Sequence, residues 1–130
     1  MGKRRPPIGE NELEVLKVLW EHGPQTVREV NRLLRDRGHV WAHTTVLTML
    51  QRLEAKGYVA SDKGALAHVF RPAVSRDKLL RQRLRDLANQ LCEGVPTPLL
   101  LALVEGHRYT PEEINHFRQL LDRLEGKKNE

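Results

Sequence analysis

Hydrophobic positions first recur at helical spacing. From Glu10 onward Leu13, Leu16, Leu19 and Trp20 fall on one stripe. Glu10, Glu12 and Glu14 crowd the first turns, where the helix dipole favours carboxylates, and His22-Gly23-Pro24 is a stop signal. A second helix is predicted from Thr26. Thr26 and Glu29 have the spacing of a capping box, Val27, Val30, Leu33 and Leu34 form the buried stripe, and Gly38 ends the helix. A third helix is predicted to begin near Ala42 or His43. Val46, Met49, Leu50 and Leu53 are its apolar side, and Gly57 stands where a left-handed cap is wanted.

The period then changes. Tyr58 to Ser61 alternates in part, Asp62-Lys63-Gly64 is a turn signal, and Ala67 to Arg71 reads as a returning strand ended by Pro72. Three helices followed by a hairpin is the order of a winged helix-turn-helix. After it, Ser75 opens a long helix whose Leu80, Leu84, Leu87 and Leu91 step by four, three and four, the spacing of a packing seam. Gly94 to Pro98 interrupts it. Thr97-Pro98 starts a short apolar helix, Leu99 to Val104. Thr110-Pro111-Glu112-Glu113 starts the last helix, with Ile114, Phe117, Leu121 and Leu124 as its stripe.

The fold class expected is therefore mainly α with a small β-hairpin: an N-terminal winged helix-turn-helix followed by a C-terminal helical dimerisation domain. The boundaries expected are a flexible basic arm at 1–9, the winged helix at 10–74, the dimerisation helices at 75–125 and a frayed tail at 126–130. Three helices over about 50 residues rarely hold a core alone. Leu80, Leu84, Leu87, Leu91, Leu99, Leu100, Leu103, Ile114, Phe117 and Leu121 are thus expected at the interface of a twofold homodimer. Packing of these helices back onto the N-terminal domain is the alternative.

Charge sharpens this picture. The formal net charge is +5, and it is uneven: residues 1–74 carry 12 Lys and Arg against 8 Asp and Glu, while residues 75–130 carry 10 against 9. Excess positive charge on one half points to a polyanion. From Arg37 to Leu53 there is no carboxylate, nor is there one from Lys63 to Arg76. A third helix that avoids acids and exposes threonines suits the major groove, where a threonine offers a hydroxyl to a phosphate or base edge and a methyl to thymine. His43, Thr44, Thr45, Leu47, Thr48, Gln51 and Arg52 lie off its apolar stripe, and Lys56 follows. Lys63 and Arg71 belong to the hairpin. Together these are the residues expected at double-stranded DNA. The arm Lys3-Arg4-Arg5 either reaches a groove or the backbone or is purely disordered.

Other classes find little to stand on. The single Cys92 excludes an internal disulfide and a cysteine-built zinc site. His39 and His43 are four apart, but a histidine pair without a carboxylate is a weak metal motif. Ser61 and Ser75 are the two serines, and neither sits in a nucleophile elbow. No phosphate-cradling glycine loop and no zinc-peptidase motif occurs. The expectation is a non-enzyme without cofactor. No apolar run reaches the roughly 18 residues of a membrane span, so no insertion is expected and the cytoplasm is the expected location. Two alternatives keep the architecture: a winged-helix regulator controlled by a metal or small ligand, and a winged-helix module that binds protein.

With these residues in place the chain resembles the penicillinase-repressor family, whose types include BlaI, MecI and the copper-responsive CopY. The segments that carry the resemblance are NELEVLKVLWEHGPQTVREV, AHTTVLTMLQRLEAKGYV, HVFRPAVSRDKL, LLLALVEG and TPEEINHFRQLLDRL, in family order from Glu10 to Leu124. The resemblance implies a homodimeric repressor on an inverted-repeat operator. In the β-lactam branch it also implies a membrane sensor-peptidase system that triggers cleavage at an Asn-Phe bond. Ala102-Leu103 stand at that place here. The copper branch has paired cysteines where this chain has Cys92 alone, and Leu66 stands where relatives carry a wing arginine.

Overall fold

The computed structural model describes residues 5–64 and 67–129, the last three as backbone alone. Its elements are α1 (Glu10–His22), β1 (Gln25–Thr26), α2 (Val27–Asp36), α3 (His43–Lys56), β2 (Val59–Asp62), β3 (Val69–Pro72), α4 (Arg76–Leu91), α5 (Thr97–Glu105) and α6 (Pro111–Asn129). They divide into two compact units, Met1–Gln82 and Arg83–Glu130.

Local chemistry accounts for the helix ends. Thr26 Oγ1 accepts from Glu29 N at 3.2 Å while Glu29 Oε1 accepts from Thr26 N at 2.9 Å, so both partners of the capping box are made. Ser75 Oγ accepts from Lys78 N at 3.1 Å to open α4. Thr110 and Glu113 repeat the reciprocal pair at the start of α6. α3 ends on Gly57, whose φ of 88° and ψ of 10° place it in the left-handed region that glycine enters without a Cβ penalty. α6 runs on to Asn129, past Gly126, where the tail was expected to fray. Gly126 weakens a helix by about 1 kcal/mol but does not break one.

The core of the first unit is built by Val15, Leu16, Val18 and Leu19 of α1, Val30 and Leu34 of α2, and Val46, Met49, Leu50 and Leu53 of α3, closed by Tyr58, Val59, Phe70, Val74 and Leu79. α1 is packed on by α2, α3 and β3 together, so its buried arc is wider than a single stripe. Val15 and Val18 are therefore inside, and Leu13 and Trp20 are left half-buried at the margin. Trp20 Nε1 finds its partner in Val74 O at 2.9 Å, which fastens the β3–α4 connection to α1. Leu79, the neighbour of the seam residue Leu80, also joins this core, so α4 begins inside the first unit.

The sheet has three antiparallel strands in the order β1-β3-β2. Its third strand, β1, was not expected. Two residues are too few to show alternation, yet Gln25 and Thr26 pair with Phe70 and Val69. In the hairpin Val59 faces Pro72 and Asp62 faces Val69. Pro72 thus belongs to β3, at its end and beyond the reach of β1, where a missing N–H costs no ladder bond.

Residues 5–8 were expected to be part of a flexible arm and are instead fastened to the end of α3. Arg5 Nε donates to Gly57 O at 3.0 Å, Tyr58 Oη to Pro6 O at 2.5 Å and Lys56 Nζ to Pro7 O at 3.0 Å, while Ile8 packs against the core. Lys3 and Arg4 lie outside the described residues. Beside this strap Lys56 Nζ meets Glu12 Oε1 at 2.7 Å, and that carboxylate also accepts from Gly9 N at 2.8 Å. Burial pushes the Glu12 carboxyl up. The hydrogen bonds from Lys56 and Gly9, with the charges of Lys56 and Arg52, outweigh it and hold the group below its ordinary value.

The second unit lacks an interior of this kind. Among its described residues only Ala88 is buried. Tyr109 joins α5 to α6: its hydroxyl donates to Leu103 O at 2.6 Å, and its ring meets Phe117 edge-on at 5.1 Å. Leu84, Leu87 and Leu91 of α4, Leu100 and Leu103 of α5, and Ile114, Leu121 and Leu124 of α6 are exposed.

A carboxylate held below its ordinary value stabilises the fold above that value and loses its contribution as it is protonated. Glu12→Gln is expected to cost about 2 kcal/mol at neutral pH by removing a charged partner from Lys56. Denaturant titrations of both proteins should converge as pH falls from 4.5, the unperturbed carboxyl value, through the lower folded one. A gap that stays constant to acid pH would refute the ion pair's role.

Candidate nucleic-acid interface

The sequence of α3 dictates two faces. Val46, Met49, Leu50 and Leu53 are buried, so the residues between them are turned outward. His43, Thr44, Thr45, Thr48, Gln51 and Arg52 are all exposed, as the sequence predicts for a groove-reading surface. No acidic residue occupies the first turn, and Ala42 gives no side-chain cap. The positive end of the helix dipole is therefore presented beside His43 without a carboxylate to quench it.

Individual members differ. Thr48 Oγ1 donates to Thr44 O at 2.9 Å, so its proton is spent on the helix and its oxygen remains an acceptor. Leu47 is half-buried and packs against the margin of the core, more a wedge than a free contact. Lys56 stands apart from the group. Its ammonium is held by Glu12 and Pro7 at the far end of α3, roughly 20 Å from His43 at 1.5 Å per residue. Arg52, one turn earlier, is exposed and makes no ion pair among the described residues.

Two polar networks aim this helix. In the first, His39 of the α2–α3 turn meets Glu14 at 3.2 Å through Nε2 and stacks on Trp41 with ring centroids 4.7 Å apart. Arg37 meets Glu21 at 3.0 Å, and Lys17 meets Glu14 at 2.8 Å. The hydrogen bond from Lys17, with that from His39 and the charges of Lys17 and Arg37, holds the Glu14 carboxyl below its ordinary value against a smaller opposing effect of burial. The turn is thereby tied to α1. His39 is thus engaged with a carboxylate and an indole. Among the described residues no three metal-ligating side chains come together. In the second network the Ser61 hydroxyl donates to the Glu54 carboxylate, which ties β2 to the last turn of α3.

The hairpin places Lys63 in an exposed turn, where Gly64 N donates to Asp62 Oδ1 at 2.9 Å. Arg71 is exposed on β3 opposite Ala60. Leu66, which the resemblance sets at the place of a wing arginine, lies outside the described residues.

One group escapes a reading for apolar stripes. Arg28, Arg32 and Arg35 of α2 line a cleft of about 400 Å³ with Glu29, Asn31 and His43. Asn31 is 8% exposed, and its Oδ1 is buried without a hydrogen-bond partner among the described residues. A buried polar group left so costs about 1–3 kcal/mol. The spacing of the arginines, four and then three, was the available signal.

The profile of the family described as penicillinase repressor matches residues 8–123. The chain is similar to the penicillinase repressor of Bacillus licheniformis, at 30% identity over 98% of this chain and 99% of that one. It is similar to the transcriptional regulator BlaI of Mycobacterium tuberculosis, at 36% identity over 91% of this chain and 85% of that one. Among solved structures, the DNA-binding domain of the repressor BlaI superposes with a TM-score of 0.50 at 34% identity, over 59% of this chain and 93% of that domain. Since the match runs through both units in the order of their helices, this chain belongs to the penicillinase repressor family.

Proposed function

We propose that this protein represses transcription as a homodimer, each protomer laying the exposed face of α3 in the major groove of one half of an inverted-repeat operator. As a member of its family it is a DNA-binding transcriptional repressor and not an enzyme. The observation that carries the finer reading is the exposed, carboxylate-free row from His43 to Arg52 on a helix whose opposite side is locked in a core. His43, Thr44 and Thr45 stand at the end of α3 that enters a groove first, the place of base-reading residues in a helix-turn-helix. Thr48 and Gln51 follow along the same face, with Leu47 supplying apolar contact at its edge. Arg52 and, from the hairpin, Lys63 and Arg71 serve the phosphates.

The dimer rests on the second unit. A unit whose described residues bury Ala88 alone while leucines of α4, α5 and α6 are exposed needs another apolar surface. A second copy supplies it, because a twofold axis brings the same patch to itself. Two α3 helices on one face of the duplex then read half-sites about 34 Å apart, or a multiple of that. No helix among the described residues is long and apolar enough to cross a membrane. We place the repressor in the cytoplasm, with its operator. A membrane sensor-peptidase is the signalling partner of the β-lactam branch. The Ala102–Leu103 bond lies within helical α5, so a peptidase acting there must first unwind it.

Selection of bound duplexes from a random pool tests the reading. An inverted repeat is expected, and recovery of unrelated or asymmetric sequences would count against it. Arg52→Ala should weaken binding to all duplexes and lower the salt slope by about one, with stability within about 0.5 kcal/mol of wild type. Lys56→Met should do the reverse, lowering stability and leaving the slope unchanged. An unaltered salt titration removes Arg52 from the contacts. Thr45→Ala should narrow the ratio of operator to random-DNA affinity, and a constant ratio argues against a base contact. Leu100→Glu with Leu121→Glu, at positions 56% and 57% exposed, should yield a monomer by sedimentation with much weaker operator binding. A persistent dimer would relocate the interface.

A further inference from the structure

We infer that the cleft between α2 and the start of α3 holds a phosphodiester of the DNA backbone, gripped by Arg28 and Arg32 with Asn31 at its floor. The inference rests on the DNA-binding reading above and adds α2 to a contact surface so far confined to α3 and the hairpin.

The charge arrangement comes first. Arg28, Arg32 and Arg35 share one face of α2, opposite buried Val30 and Leu34, and none makes an ion pair among the described residues. Like charges one turn apart repel, and an oxyanion set between them turns that repulsion into attraction. The carboxylate on the cleft, Glu29, is engaged with Thr26 N at the helix cap. Asn31 is the independent sign. A side chain more than nine-tenths buried lines a cleft of arginines, and its Oδ1 has no hydrogen-bond partner among the described residues. Oδ1 is the atom turned inward, which leaves the donor Nδ2 as the amide group that can serve a phosphate oxygen. His43 places the uncapped start of α3 at the same cleft, adding the positive end of a helix of 14 residues.

Geometry favours the backbone of a duplex over a small molecule. The cleft is open to solvent, as suits a strand running past it. It adjoins the first residues of the helix that enters the groove, and the first helix of a helix-turn-helix crosses the sugar-phosphate backbone. Planar guanidinium forks match phosphate oxygens two at a time. Such a contact sets the depth and register of α3 without reading sequence.

The test compares full-length proteins on a random-sequence duplex and on the selected operator. Arg28→Gln combined with Arg32→Gln should weaken both by the same factor, on the order of tenfold per arginine, and lower the slope of log affinity against log salt by about two. Both positions are exposed, so the fold is retained. Arg118→Gln with Arg123→Gln in α6 controls for net charge. An equal loss there, or a wild-type slope in the α2 pair, overturns the assignment. Asn31→Asp keeps the side-chain shape and adds a like charge. It should weaken both duplexes equally, and unaltered binding by a protein that still melts cooperatively removes Asn31 from the site. Exchanging chloride for inorganic phosphate at constant ionic strength separates the two sources of phosphate. A loss of DNA affinity that the arginine pair abolishes shows phosphate and backbone competing for the cleft and supports the inference. Phosphate that binds the wild type but not the arginine pair, with DNA affinity unchanged, assigns the cleft to a free anion and overturns the inference. Wild-type protein that binds no duplex overturns the DNA reading itself, whereas wild-type binding matched by the arginine pair overturns this inference alone.

Discussion

Burial of Val46, Met49, Leu50 and Leu53 against α1 and α2 is the constraint on which the rest of the molecule turns. A helix has one set of directions, and four apolar side chains at helical spacing fix which of them face inward. Each methylene they bury contributes about 0.8 kcal/mol, so rotating α3 by half a turn is out of reach. The composition of the other face is thereby released from folding, and in the function proposed here it serves recognition. Threonine, histidine, glutamine and arginine occupy it, residues that the core would reject and that a helix tolerates at modest cost.

The remaining interactions hold the ends of that helix. At its start the α2–α3 turn is tied to α1 by His39, Arg37 and the carboxylates of Glu14 and Glu21. At its finish the Glu12–Lys56 pair, the residues from Arg5 to Ile8 and the Ser61–Glu54 bond gather α1, β2 and the strap around one turn. Both groups join segments distant in sequence. A recognition surface has to be placed to within a fraction of an ångström, and side chains locked by such surroundings are how a fold achieves it.

What could be read from the chain was local. The Thr26–Glu29 and Thr110–Glu113 boxes, the left-handed Gly57 and the four core residues of α3 each depend on spacings within one or two turns. Non-local features were hidden. Lys56 looked like a phosphate contact because its partner Glu12 is 44 residues away. β1 is too short to carry a period, and it exists because β3 offers it an edge. Arg5 and Tyr58 are far apart in sequence and are brought together only by the fold. At the face of α2 the apolar stripe was legible. The arginines opposite it read as ordinary solvated charge until the fold set them beside Asn31 and His43.

The near-absence of an interior in the second unit reaches beyond the interface itself. In the dimer proposed here those helices gain their order from association, so their folding is a second-order event whose equilibrium moves with the number of molecules in the cell. Occupancy of an operator would then rise with more than the first power of chain abundance. Small changes in synthesis or turnover would be amplified into a steep on–off response, and Ala88, lone among its exposed neighbours, is the visible trace of that economy.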